Sequence, residues 1–435
     1  MSFFFNSLYS LILVLVSPWL AWRFWWKGRS FKNFFSRFSG DSKFINTSSN
    51  SKTVWFHGVS VGEIHLLRQL VSTVQKSKPD WFCVVSSSTD NGLLEAHKCF
   101  KGVHIVLFPL DFTWSINKAL SQIKPDLIVL AESELWPNFL HCCKLKDIPV
   151  AVINGRMSPR TQARYLKFPR IAKAFFSKIS AFALQNIETE KFLHRIGVSP
   201  MATRVTGSIK FDGVTFSRTD SNIEKFRTVF AIKPNEIVWV AGSTQAPEEQ
   251  FLLNTYTVLK KEFPLLRLIL VPRQPDLFNH VRKQIELAGL PFKNRSELGP
   301  AVAPDDSIIL VDTLGELRFI WGLADIAFVG GSMDGKRGGQ NMIEPAAYGS
   351  AVFFGDKIWN FKQVAGQLIH AGGASMISSP AFLESTARTL IANASLRTQM
   401  GQKAKDFVIS QQGATAKTVI MLEDLLCRDS RNLAA

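Results

Sequence analysis

The chain has 435 residues, too many for one ordinary core, so two domains of about 150–200 residues are expected. Its 46% hydrophobic and 20% charged residues exclude a disordered chain, and a formal net charge of +16 calls for an anionic partner: nucleic acid, phospholipid or a phosphorylated substrate. Nucleic acid is disfavoured, because no zinc-finger spacing, RNP-like aromatic run or basic repeat is present. Cys83, Cys99, Cys142, Cys143 and Cys427 show no CxxC or Cys/His ligand spacing, which argues for reduced thiols with neither a disulfide framework nor a zinc site.

Residues 1–22 carry no charged side chain, and Arg23, Lys27, Arg29, Lys32 and Arg37 follow, interleaved with Trp25 and Trp26. The pattern predicts a membrane-anchor helix with a basic flank over 1–38, the flank facing the cytoplasm. Asn6, Ser7, Ser10, Ser17 and Pro18 dilute the apolar run, leaving open whether it spans the bilayer or lies in its interface. Residues 39–52 read as a polar tether.

From Thr53 onward, strand-like apolar runs alternate with amphipathic helical stretches, the signature of parallel α/β sheets wrapped by helices. The alternation pauses near 214–234 and then resumes. This predicts a domain over 53–213, a linker over 214–234, a second domain over 235–400 and a helical tail over 401–435 that packs back on the first. In such sheets ligands bind beyond the carboxyl ends of the strands.

In HGVSVGE, Ser60 and Glu63 fit an S-x-x-E capping box at a strand-to-helix turn. The same carboxylate, held at a helix N-terminus, would stay ionised as a general base must. GVSVG also matches the G-x-S-x-G elbow, making Ser60 a formal nucleophile, although no partner His and acid stand out. In LAESELWPN, Glu132 and Glu134 end a strand, where they would either orient a substrate or cap the next helix. Lys210 closes the first domain; solvation is its bland reading. The stretch NGRMSPRTQARYLKFPR is basic and amphipathic, suiting either solvent or an anionic lipid.

In the second half, LVPRQP puts Pro272 and Arg273 after a strand, where a guanidinium can grip phosphate. VDTLGEL places Leu314, Gly315 and Glu316 at the next turn. Phe328 to Gly349 holds six glycines and leads through Asn341, Met342 and Ile343 to Glu344. Bare N–H groups there suit a phosphate and Glu344 the hydroxyls of a ribose; the plain alternative is a glycine-rich turn with Asn341 as helix cap. The spacing fits neither a dinucleotide fingerprint nor a Walker loop, and no HExxH or HxxxH pattern supports metal catalysis.

Taken together, HGVSVGE, ESELWPN, NGRMS, QNIETEKF, VTGSIKFD, LVPRQP, VDTLGELRFIWGLADIAFVGGS and GGQNMIEPAAYG resemble the 3-deoxy-D-manno-octulosonic acid (Kdo) transferases, in the family's order. The resemblance implies a GT-B glycosyltransferase fold, with two Rossmann-like domains, an interdomain cleft and an N-terminal membrane-anchor helix. It implies inverting, metal-independent transfer of Kdo from CMP-Kdo to a lipid A precursor (lipid IVA) in lipopolysaccharide biosynthesis, at the cytoplasmic face of the inner membrane, with no cofactor beyond the donor. By similarity Glu63 is the general base, and Glu132 and Lys210 stabilise the transition state. Pro272, Arg273, Leu314, Gly315, Glu316, Asn341, Met342, Ile343 and Glu344 match CMP-binding positions. Gln245, Gln274 and Gln340 stand where the family pattern reads His; a sugar-nucleotide epimerase of the same fold is a second reading, and an inactive membrane-tethered nucleotide-sugar binder, prompted by those glutamines, a third.

Overall fold

A computed structural model of the chain describes residues 2–27, 32–42, 51–132, 135–214, 216–299 and 307–432. Arg29 of the basic flank, residues 43–50 of the tether and Glu134 lie outside the described residues. The chain divides into two compact units, one of Met1–Gly213 with Gln412–Ala435 and one of Val214–Gln411.

The first unit opens with helices α1 (Ser2–Lys27) and α2 (Lys32–Ser39). Then follow β1 (Lys52–His57), α3 (Val61–Ser77), β2 (Trp81–Ser87), α4 (Asp90–Cys99), β3 (His104–Leu107), α5 (Thr113–Ile123) and β4 (Leu127–Ala131). After β4 come α6 (Pro137–Leu145), β5 (Val150–Gly155), α7 (Pro159–Leu166), α8 (Pro169–Phe176), β6 (Ala181–Leu184), α9 (Ile187–Arg195) and β7 (Thr203–Val205). The seven strands are parallel in the order β3-β2-β1-β4-β5-β6-β7. The near-continuous apolar runs of the inner strands β2, β1, β4, β5 and β6 reflect burial on both faces. On one face Val54 and Phe56 of β1 pack with Ile64, Leu67 and Leu70 of α3; on the other, Trp55 packs with Phe108 and Phe139. Winding reverses between β1 and β4, the point where a doubly wound sheet opens a crevice at its carboxyl edge.

The second unit begins with α10 (Ser221–Val229), β8 (Ile237–Thr244), α11 (Glu248–Glu262), β9 (Leu266–Pro272), α12 (Phe278–Leu287), β10 (Phe292–Asn294) and β11 (Ile308–Leu310). It continues through α13 (Leu317–Ile320), β12 (Ile326–Val329), α14 (Ile343–Ala347), β13 (Ala351–Gly355), α15 (Lys362–His370), β14 (Ala374–Ile377), α16 (Pro380–Ala392) and α17 (Ala394–Ser410). Its parallel order β10-β11-β9-β8-β12-β13-β14 reverses between β8 and β12.

Two boundaries differ from the sequence expectation. The stretch 214–234 lies within the second unit: Ile223, Phe226 and Phe230 are buried, and Arg218 donates to Tyr348 O and Ala324 O at 2.8 and 2.7 Å. Helix α17 runs through residue 400 without a break. The last helix, α18 (Ala414–Asn432), belongs to the first unit, where Val419, Leu422 and Leu426 join the core beside α3. Asp212 holds the entry to α18, accepting from Gly413 N at 2.7 Å. Strands β7 and β10, three residues each, are too short to show a period of two.

Among the described residues no helix is long and apolar enough to cross a membrane. Helix α1 docks by its first turns: Asn6 donates to Thr113 Oγ1 at 2.8 Å and accepts from Asn138 Nδ2 at 3.0 Å, and Tyr9 meets Phe112 edge-on. Pro18 lacks the N–H that Val14 O would accept, and Ser17 Oγ donates to that carbonyl instead at 2.8 Å. Beyond the docked turns Leu11, Val14, Leu15 and Trp19 stay exposed, Leu15 by 70%.

Candidate active site

Strand β1 delivers Gly58 to the first unit's switch point, and the chain turns at once into α3. Glu63 Oε2 accepts from Val59 N at 2.6 Å, Ser60 Oγ donates to Glu63 Oε1 at 3.2 Å, and Ser60 Oγ accepts from Glu63 N at 3.3 Å. Ser60 therefore caps the helix. The nearby His57 ring is buried on Phe108, with Nδ1 against Ser86 and Nε2 against Ser88 Oγ, and burial pushes its pKa down to about 3. His57 is thus engaged elsewhere, and among the described residues no histidine hydrogen-bonds Ser60 as an elbow nucleophile needs.

The half-buried Glu63 carboxyl is raised above the ordinary range. Burial is the main cause, and the Glu132 charge adds to it against the pull of the Val59 N–H. The cap alone favours ionisation, but desolvation outweighs it.

Glu132 follows β4 on the other side of the switch point, in a left-handed conformation at φ 57°. Its Oε1 lies 3.3 Å from Lys210 Nζ and accepts from Asn154 Nδ2 at 3.3 Å. Asn154, at the end of β5, is buried and also left-handed, with φ 53°. Its Oδ1 accepts from Ile209 N at 3.1 Å, so one amide ties Glu132 to the turn bearing Lys210. Glu63, Glu132 and Lys210 thus form one cluster, and two non-glycine residues at φ above 50° hold it. Asn154 was not singled out from the sequence; its place at the carboxyl end of a strand was the available signal.

In the second unit the glycine-rich stretch follows β12 at the switch point beside β8. Its first glycines are organised by Glu248, the first residue of α11, whose side chain is fully buried. Oε2 accepts from Gly331 N (2.7 Å) and Gln245 N (3.0 Å), and Oε1 from Ser332 N (2.8 Å) and Met333 N (2.9 Å). Burial pushes this carboxyl up to about 7 against the four N–H donors, which favour its charged form. The backbone comes so near that a Cβ on Gly330 would lie 2.6 Å from Thr244 Cα. This corrects the sequence expectation: the N–H groups of Gly331, Ser332 and Met333 serve an internal carboxylate, not an external phosphate. Glu248 was missed, although QAPEE directly after a strand was visible.

Asn341 does not begin the next helix; α14 starts at Ile343, whose N–H donates to Asn341 Oδ1 at 3.1 Å. Asn341 Nδ2 donates to Glu344 Oε1 at 3.0 Å. Burial raises the Glu344 pKa, while Asn341 and the guanidinium charges of Arg318 and Arg273 oppose the rise. Arg273, Asn341 and Glu344 are therefore neighbours. Met342, Ile343 and Pro272 have buried side chains, so only their backbone can meet a ligand. Leu314 is exposed, Gly315 has φ 84° with open space around it, and Glu316 is paired with Arg295 and Thr313.

A family model described as 3-deoxy-D-manno-octulosonic-acid transferase (kdotransferase) matches residues 32–213. A 3-deoxy-D-manno-octulosonic acid transferase of Haemophilus influenzae is 30% identical over 378 residues, 86% of this chain and 88% of the relative. The chain belongs to the Kdo transferase family. It is a glycosyltransferase. A Chlamydophila psittaci Kdo transferase is 31% identical over 73% of this chain and 72% of its own. Among solved structures, the UDP-GlcNAc 2-epimerase of Neisseria meningitidis covers 86% of this chain and 100% of its own with a TM-score of 0.58, but at 14% identity it shows a shared GT-B-like fold alone.

The three glutamines of this Kdo transferase that replace expected histidines can now be placed. Gln245 packs at the Glu248 carboxyl, Gln340 packs against Gly331, and Gln274 Oε1 accepts from Arg337 Nη2 at 3.3 Å. Of these, the Gln245 contact uses the backbone N–H and the Gln274 contact the side-chain amide; an amide can hydrogen-bond as an imidazole does but does not gain a proton or charge.

Proposed function

We propose that this Kdo transferase moves Kdo from CMP-Kdo to a lipid A precursor, lipid IVA, in lipopolysaccharide biosynthesis, with inversion and without a metal or other cofactor. The cluster of Glu63, Glu132 and Lys210 at one sheet's switch point carries the reading. Glu63 takes the proton from the acceptor's sugar hydroxyl as the new glycosidic bond forms; a raised pKa brings it closer to the working pH of a general base. The sugar centre becomes oxocarbenium-like, which the Glu132 carboxylate favours, and Lys210 offsets negative charge growing on the departing CMP.

On the second unit, Arg273 grips the phosphate and Glu344 the ribose hydroxyls, with Asn341 fixing the carboxylate. Pro272, Leu314, Gly315, Glu316, Met342 and Ile343 complete the CMP contacts, several by backbone alone.

The enzyme works on the cytoplasmic face of the inner membrane. Supporting this is α1, whose apolar side chains remain exposed past its docked turns. Lying in the interface suits it better than crossing.

The test is transfer by the purified full chain. Given CMP-Kdo and a tetraacylated lipid A precursor, it releases CMP and yields a lipid heavier by whole Kdo units in the mass spectrum. Glu63→Ala lowers turnover by about 100-fold or more. A folded Glu63→Ala protein at full turnover refutes the base, and tight CMP binding without transfer to any lipid A precursor refutes the activity.

A further inference from the structure

We propose that His65, Glu95 and Cys99 form a binding site for a thiophilic divalent ion of the Zn2+ class on the outer face of α3 and α4. Cys99 is the last residue of α4 and Glu95 sits one turn earlier on the same face; His65 reaches across from α3. Cys99 Sγ lies 3.5 Å from Glu95 Oε1 and 3.9 Å from His65 Nδ1, and His65 Nε2 lies 3.4 Å from the same Glu95 oxygen. The ligand atoms all fall within 4.8 Å of one another.

A tetrahedral Zn2+, with bonds of about 2.0 Å to nitrogen and oxygen and about 2.3 Å to sulfur, separates its ligands by roughly 3.3–3.5 Å. The Cys99–Glu95 and His65–Glu95 distances already match. One ring nitrogen ligates, and the half-exposed imidazole has room to turn the rest of the way. Three protein ligands leave the fourth position to water. Lys98 pairs with the other Glu95 oxygen, at 3.9 Å, and leaves Oε1 to the site.

On binding, a divalent ion displaces the thiol proton of Cys99: Cys–SH and M2+ give Cys–S–M+ and one H+, with no change of oxidation state. The ligands come from two helices 30 residues apart, which explains why no Cys/His spacing betrayed them. His65 lies about 200° around α3 from Glu63, so the ion clamps α3 to α4 and does not touch the proposed base. The site stands whether or not Glu63 has that role.

Cobalt is the probe. Titrating tag-free, reduced full-length protein with Co2+ gives a thiolate-to-cobalt charge-transfer band that saturates at one equivalent, and Zn2+ erases it. Cys99→Ser abolishes the band with unchanged circular dichroism, while His65→Ala and Glu95→Gln each weaken Co2+ binding by about tenfold or more. Excess Zn2+ raises the Tm of the parent protein by about 3 °C and leaves that of Cys99→Ser unmoved. The proposal is overturned if the parent protein shows no band, or if the band survives Cys99→Ser; its loss in Cys427→Ser would then place the metal on that exposed thiol.

Discussion

At residue scale, Glu63 meets two opposing demands. The cap bonds from Val59 and Ser60 favour its charge, and burial beside Glu132 disfavours it more. The sign of the linkage follows. A carboxyl whose pKa is higher folded than unfolded adds stability below its unfolded pKa and loses it as pH rises through the folded value. Ionised Glu63 is therefore a burden on the fold at neutral pH, carried for the sake of the reaction. Glu63→Gln keeps an acceptor for Val59 and removes the charge. Its Tm at pH 7 rises above that of the parent, while its turnover falls by about two orders of magnitude or more. The acid limb of the parent's kcat against pH lies above the ordinary carboxylate range. A Tm that falls on substitution, or an acid limb at about 4, would contradict this account.

Among elements, the turns at the two switch points carry the differences that matter. The S-x-x-E box and its strand-to-helix setting were legible because capping is local: four consecutive residues declare it. The bond from Asn154 to Glu132 and the pairing of Glu132 with Lys210 were not, because sheet order, rather than chain order, brings them together. For the same reason the glycine-rich stretch revealed its bare backbone but not its internal partner. Glu248 is distant in sequence and meets the turn only because β8 and β12 are neighbours. Glu248→Gln presents an amide NH2 to two N–H donors, so stability to denaturant falls by about 2–3 kcal/mol. The loosened turn raises the KM for CMP-Kdo by about tenfold, some 1.4 kcal/mol, with kcat less affected. A variant with the parent's midpoint and KM shows that the turn holds itself.

For the whole molecule, the proposed membrane attachment draws on both an excess of 16 positive charges and a partly undocked apolar helix. Partition onto vesicles containing anionic lipid weakens steeply as salt rises and the screening length shrinks below about 10 Å. Replacing Leu11 and Leu15 together with Glu lowers it by about tenfold or more even at low salt. Binding indifferent to both changes refutes the interfacial role proposed for α1. Composition called for an anionic partner, and the sequence showed the apolar start. It did not announce that Asn6, a residue that dilutes the hydrophobic run, fastens the helix to Thr113 and Asn138. Helix α18 has a consequence for how the chain is made. It fills a gap beside α3 that the first 213 residues leave open, while the whole of Val214–Gln411 lies between them in the chain. On the ribosome the later unit can close while the earlier one still waits, so the amino-terminal half of the protein is the last to be finished. A nick that removes the final helix then unsettles the turn next to Lys210, two hundred residues upstream, through Asp212.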